Sequence, residues 1–264
     1  MKRSELEAFA DGVIEAVMEN EDVAGAVLGI VRGNEVILLE GYGESDVGAG
    51  TPVDPATTLF RPGSVLKLFT WIALMQLRDT GKLDFQTDIN RYLEGVEVPA
   101  TFDEPITIEH LMTHTPGFED HVLGLFGRNA ESMKPLADVL DEQMPTRVRP
   151  PGKIASYSNH GVGLAGLIVE QVSGVPWPEY IEHNILEPLE MEYTTMRQPL
   201  PEALAPHMSK GYAFEAGQFV QKDFEFVPLR PPAGRVPAPA TWSSSSARSS
   251  ATAVLRRANR AMPT

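Results

Sequence analysis

The sequence predicts an α+β fold, with helices beside an antiparallel sheet. Three stretches carry that prediction: two short apolar runs either side of Gly33-Asn34, a long apolar-periodic run that opens at Ser64, and a second strongly apolar run over residues 161–174. The first has the length and punctuation of a hairpin, and the other two have helical spacing. A chain of 264 residues with 42% hydrophobic content can bury a substantial core in one large domain or two small ones.

Residues 3–19 read as an amphipathic helix, with Leu6, Phe9, Val13, Ile14 and Val17 on one face. Residues 25–32 (GAVLGIVR) and 35–42 (EVILLEGY) are two strands, apolar enough for a sheet covered largely by helices. Residues 43–59, rich in Gly, Asp, Thr and Pro, form a loop. Pro62-Gly63 then breaks the chain before a helix that runs to Thr80 and stops at Gly81, with Val65, Leu68, Phe69, Ile72 and Leu77 as its apolar positions. Residues 82–104 are irregular. Thr107 caps a short helix that ends at Pro116-Gly117, and residues 119–148 mix helices and loops. A loop over residues 149–159 precedes the helix closed by Gly174. A further helix follows, with Pro178 tolerated in its first turn.

Composition narrows the function classes. A net charge of −14 argues against nucleic acid or an anionic membrane surface as a partner. With no cysteine, thiolate chemistry and disulfides are excluded. No apolar run has the length of a membrane span. The N-terminus lacks the apolar centre of an export signal, so the chain as written belongs in the cytoplasm; an upstream start would allow an exported or periplasmic protein.

Ser64 and Lys67 are the first candidate site residues. Three positions apart at a helix start, they share a face and form a nucleophile and its candidate base. The free N–H groups of that first turn suit an oxyanion. Tyr157, on a loop with Ser158 and Asn159, can pass protons, and Asn159 can hold Lys67 or a substrate carbonyl. Gly161, Gly163 and Gly166 fit a dinucleotide-binding spacing, but the residues before them are polar where a buried strand is required; close helix packing is the better reading. His110 and His114 are four apart, with His121 nearby, which leaves metal binding as a distant alternative to loop bracing by His114.

These runs, FRPGSVLK at 60–67, LMTHTPG at 111–117, PG at 151–152 and YSN at 157–159, occur in an order and spacing that resembles the serine β-lactamase and penicillin-binding-protein superfamily. The similarity is greatest to the class C β-lactamase-like hydrolases, which include family VIII esterases and D-amino-acid peptidases, and it covers residues 5–230. The resemblance implies an α/β sandwich in which a helical subdomain, about residues 65–190, lies beside an antiparallel sheet flanked by helices. It implies an acyl-enzyme on Ser64, with Lys67 and Tyr157 sharing the proton work. Asn159 would orient Lys67 and the substrate, and the Ser64 N–H would supply half of the oxyanion hole. No metal or cofactor is implied. The substrate would be a small-molecule ester, peptide or β-lactam.

The chain departs from this pattern at its C-terminal end. The superfamily has a Lys-Thr-Gly or His-x-Gly element on a cleft strand, and none follows Asn159; Ser209-Lys210-Gly211 is its nearest imitation and comes too early. From Phe226 onward there is no Asp, Glu or Lys. The reading is a hydrolase domain over residues 1–233 lacking its last strands, and a low-complexity disordered tail over 234–264, as a frame shift or truncation near Gly234 would produce. Such a chain is expected to have low stability and to lose one oxyanion donor, of order 10²–10³ in rate. A non-catalytic fragment acting as a binding module is the alternative function.

Overall fold

The computed structural model describes residues 3–33, 35–119 and 126–229. The architecture is α+β. Helix α1 (Arg3–Asn20) precedes β1 (Gly25–Arg32), β2 (Glu35–Asp46) and β3 (Thr51–Pro52), which pair antiparallel in the order β1-β2-β3. Helices α2 (Lys67–Asp79), α3 (Ile108–Met112), α4 (Leu136–Glu142), α5 (Asn159–Ser173) and α6 (Trp177–Ile181) form the helical part, and a separate hairpin pairs β4 (Gly211–Glu215) with β5 (Gln218–Lys222).

The β1–β2 register runs from Gly25 opposite Gly43 to Arg32 opposite Glu35, with a bulge at Ile30 and Val31. Two glycines are required by close backbone approach. A Cβ on Gly25 would lie 2.5 Å from the Glu44 carbonyl oxygen, and one on Gly41 would lie 2.3 Å from that of Val53. Strand β2 continues four residues beyond the expected end, and β3 lies inside the stretch read as loop. Sheet burial is also less than expected: no β1 residue is fully buried, and in β2 only Leu38, Tyr42 and Ser45 are. Helix α1 covers the sheet through buried Ala10 and a Tyr42 hydroxyl that donates to Asp11 at 3.0 Å.

The apolar stripe of α1 is divided. Leu6, Ala10, Ile14 and Met18 share a row that is at least half-buried, whereas Phe9, Val13 and Val17 lie exposed on the next. Helix α2 shows the same offset. Its buried residues are Lys67, Thr70, Ala73, Leu74 and Leu77, while Val65 and Leu68, expected inside, are exposed. Leu77 is buried as expected, and Phe69 and Ile72 pack partly buried against the core, but the inward face also carries two polar residues that hydrophobic periodicity does not pick out.

The main core lies among α2, α3, α5 and α6, with Leu74, Leu77, Ile108, Leu111, Leu164, Ile168, Trp177 and Ile181 nearly inaccessible. The irregular stretch 82–104 contributes Leu83, Ile89, Val96 and Val98 to it. Helix α5 is capped by Ser158, whose Oγ accepts the Gly161 N–H at 3.0 Å, and is ended by Gly174 at φ +78°. A Cβ on Gly161 would meet Leu111, and one on Gly166 would meet Trp177, at 3.6 Å, an ordinary contact, so packing does not demand glycine at these two positions of α5. Beyond α6 the chain continues through a π turn (Glu182–Leu186). The expected disordered tail, the place of the expected missing strands, and His121 lie outside the described residues. Among the described residues no helix is long and apolar enough to cross a membrane.

Candidate active site

Ser64 lies in a 3₁₀ turn (Gly63–Leu66) that leads into α2, rather than in the first α-helical turn that its sequence context predicts. The difference has a chemical consequence. A 3₁₀ turn has three residues per turn, so side chains at i and i+3 eclipse one another. Lys67 therefore stands directly over Ser64, and its Nζ donates to Ser64 Oγ at 2.8 Å. Lys67 is only 4% exposed although Ser64 is open to solvent, so the amine reaches the hydroxyl from inside the protein. The N–H groups at this turn precede any intrahelical acceptor and are available to an anionic oxygen.

Tyr157 arrives from the loop before α5. Its hydroxyl donates to Ser64 Oγ at 2.7 Å, and the Lys67 ammonium lies 4.9 Å from the centre of its ring. The structure thus brings three of the four expected site residues together on one oxygen. Asn159 is the first residue of α5 rather than part of the loop, and it lines a cleft of about 300 Å³ together with Ser64. The Lys67 hydrogen bond goes to Ser64.

The loop that carries Tyr157 is held by the LMTHTPG run. His110 Nδ1 accepts the Thr107 N–H at 3.1 Å and Thr107 Oγ1 accepts the His110 N–H, a reciprocal cap on α3. His114 Nδ1 accepts the Ser158 N–H at 3.3 Å, its carbonyl accepts the Ser156 N–H at 2.7 Å, and its ring stacks on Tyr157 at 4.4 Å. Burial pushes both imidazoles below the ordinary histidine range, and the Lys67 charge lowers His114 further. With both Nδ1 atoms engaged by backbone N–H groups, the two histidines act as loop braces. Among the described residues no group of three or more His, Cys, Asp or Glu side chains gathers to hold a metal ion.

Sequence reasoning missed the other cleft residues: Arg61, Phe126, Glu225 and Val227. Arg61 sits 4.8 Å from the Phe224 ring centre; burial lowers its pKa, and Glu225 works in the opposite direction. It also lines an adjoining cavity of about 360 Å³ with Ser209, Lys210 and Gly211. Its place in the FRPGS run was the available signal; Phe126 and Val227 had none.

Comparison with known proteins bears on the family and the fold. A family model described as Beta-lactamase matches residues 10–261, past the residue 230 at which the sequence resemblance ended. Protein flp of Staphylococcus aureus (strain N315) is 26% identical over 220 residues, covering 82% of this chain and 43% of that protein. Penicillin-binding protein 4* of Bacillus subtilis (strain 168) is 27% identical over 210 residues, covering 77% of this chain and 45% of that protein. The chain thus spans less than half the length of these relatives. The octameric penicillin-binding protein homologue from Pyrococcus abyssi superposes with a TM-score of 0.76 and 27% identity, over 97% of this chain and 57% of that one.

Proposed function

The chain belongs to the beta-lactamase family, and from that premise we propose that it is a serine hydrolase that forms an acyl-enzyme on Ser64. The observation that supports this reading is the convergence of Lys67 Nζ at 2.8 Å and Tyr157 hydroxyl at 2.7 Å on one serine oxygen. A serine hydroxyl is a weak nucleophile until a neighbour takes its proton. Either partner, once deprotonated, lies within reach of that proton.

The steps follow from the positions. Ser64 Oγ bonds to the carbonyl carbon of an ester, amide or β-lactam held along the cleft beside Asn159, and its proton passes to the deprotonated member of the Lys67–Tyr157 pair. The Ser64 N–H, at the open end of the 3₁₀ turn, donates to the developing oxyanion. The carbonyl–oxygen or carbonyl–nitrogen bond breaks as the pair returns the proton to the leaving group. Water then attacks the ester on Ser64 and gives a proton to the same pair; the bond from the carbonyl carbon to Oγ breaks as the pair returns that proton to Oγ, which releases a carboxylic acid and free serine. This route uses no metal or cofactor.

Intact-mass measurement after treatment with a fluorophosphonate and, separately, a penicillin tests the reading against a Ser64→Ala control. An adduct that disappears in the control is the expected result. No adduct on protein whose circular dichroism shows the native helices would overturn it, and would leave a binding module built on the same fold.

A further inference from the structure

We propose that His114 is a positioning residue for Tyr157: its ring is the wall that keeps the exposed tyrosine's hydroxyl on Ser64 Oγ. The inference rests on the acyl-enzyme reading above and assigns a task to a residue that the reaction itself does not use.

Tyr157 is 48% exposed, so little else confines its ring. A phenol on an exposed loop has other staggered rotamers open to it, and any of them would carry the hydroxyl away from Ser64. His114 closes that freedom from below. The two rings stack at 4.4 Å with an interplanar angle of 29°. His114 is itself fixed on three sides. Its Nδ1 accepts the Ser158 N–H, its carbonyl accepts the Ser156 N–H, and the Trp71 ring meets it edge-on at 6.2 Å.

Trp71 lies on α2 one turn beyond Lys67. A single path of packed rings therefore runs from the helix that holds Lys67, through Trp71 and His114, to Tyr157. The backbone at His114 is held at φ +55°, a conformation uncommon for a non-glycine residue. It aims the side chain between α2 and the 149–158 loop. Because Nδ1 accepts a hydrogen bond, Nε2 carries the proton and the ring is neutral, which keeps a second cation away from Lys67.

His114→Asn separates wall from brace. Asparagine tolerates positive φ and keeps an acceptor near the Nδ1 position, but it removes the ring. The expected result is a fluorophosphonate labelling rate at saturation about 10²-fold lower, with the half-saturating probe concentration unchanged. In a Tyr157→Phe background the same substitution should have no further effect, since His114 acts through Tyr157. Wild-type labelling by His114→Asn, or an undiminished effect without the Tyr157 hydroxyl, would each overturn the proposal.

A second readout does not depend on activity. With tyrosine ¹³C-labelled at Cζ, Ser64→Ala should move the Tyr157 resonance in the native background and leave it in place in the His114→Asn background. If wild-type protein forms no adduct, the acyl-enzyme reading fails while this comparison still decides the role of His114. An equal Ser64→Ala shift in both backgrounds would overturn it.

Discussion

Gly117 is where a single methyl group should do most harm to both stability and site. It ends the LMTHTPG run at φ +82°, and its carbonyl accepts the N–H groups of Val148 at 2.9 Å and Arg149 at 3.2 Å. A Cβ there would lie 2.0 Å from the Arg149 carbonyl oxygen and 2.9 Å from its carbonyl carbon. Both are backbone atoms, so no side chain can swing aside. Regaining ordinary contact of about 3.5 Å requires the two segments to part by roughly an ångström or more. That separation loses two hydrogen bonds worth about 1 kcal/mol each, and the left-handed backbone costs a further 1–2 kcal/mol or so. Gly117→Ala should therefore cost about 3–4 kcal/mol, a large part of the roughly 5–15 kcal/mol that holds a typical domain. Urea unfolding followed by circular dichroism, with the slope unchanged, measures it. The displaced segment leads directly to Tyr157, so labelling of Ser64 should slow as well. A loss under about 1 kcal/mol with native labelling would refute the claim that this contact fixes the loop.

Three further outcomes follow from the same structure. Lys67→Met keeps the buried stem and removes the amine, so labelling should fall by about 10²–10⁴-fold with the helical spectrum intact; native labelling would remove Lys67 from the proton path. The Tyr42 hydroxyl, buried and donating to Asp11, is pushed up to about 12, so absorbance titration should show a phenol ionising near that value and missing in Tyr42→Phe. Because this folded value lies above the unfolded one, Tyr42 contributes stability below the ordinary tyrosine pKa of about 10 and loses it as pH rises toward 12; a flat unfolding midpoint across that window would count against the pairing. His110 and His114 are both lowered, so the unfolded chain binds protons more readily. Their contribution is present above about pH 6.5 and is lost as pH falls through the folded values. The urea midpoint should drop on mild acidification, by less in a His110→Asn variant, and an equal drop in both would sink the assignment.

The elements legible in the sequence were those whose signals are local. Ser158 caps α5, Thr107 caps α3, and Gly174 and Gly81 stop their helices because backbone geometry demands those residues wherever the helices pack. The β4–β5 hairpin was missed although Tyr212, Phe214, Phe219 and Val220 flank its turn. Its two turn residues, Ala216 at φ +50° and Gly217 at φ +81°, form a two-residue reversal in which alanine occupies the place where asparagine usually signals the turn. Burial of the sheet and of α1 was overestimated because hydropathy records which residues can be buried, whereas burial depends on what covers them.

The same distinction explains what was legible at the site. Ser64, Lys67 and Tyr157 were found because a three-residue spacing and an ordered set of motifs survive in the sequence. The burial of Lys67 was not legible because the inward row of α2 is partly polar, with Lys67 and Thr70 4% and 0% exposed. On the proposed acyl-enzyme reading, α2 breaks the hydrophobic pattern at this face because the chemistry uses a buried amine there. The 3₁₀ turn was equally invisible, yet it aligns Ser64 with Lys67 more closely than an α-turn's 100° steps would. Phe126 enters the cleft through tertiary packing alone, and no spacing within one sequence encodes that. Substrate choice should therefore respond to substitutions at Arg61 and Phe126, while the ability to form an adduct responds to Ser64, Lys67 and Tyr157. If changes at Arg61 or Phe126 abolished labelling by every probe while the fold remained intact, that division of labour would be wrong.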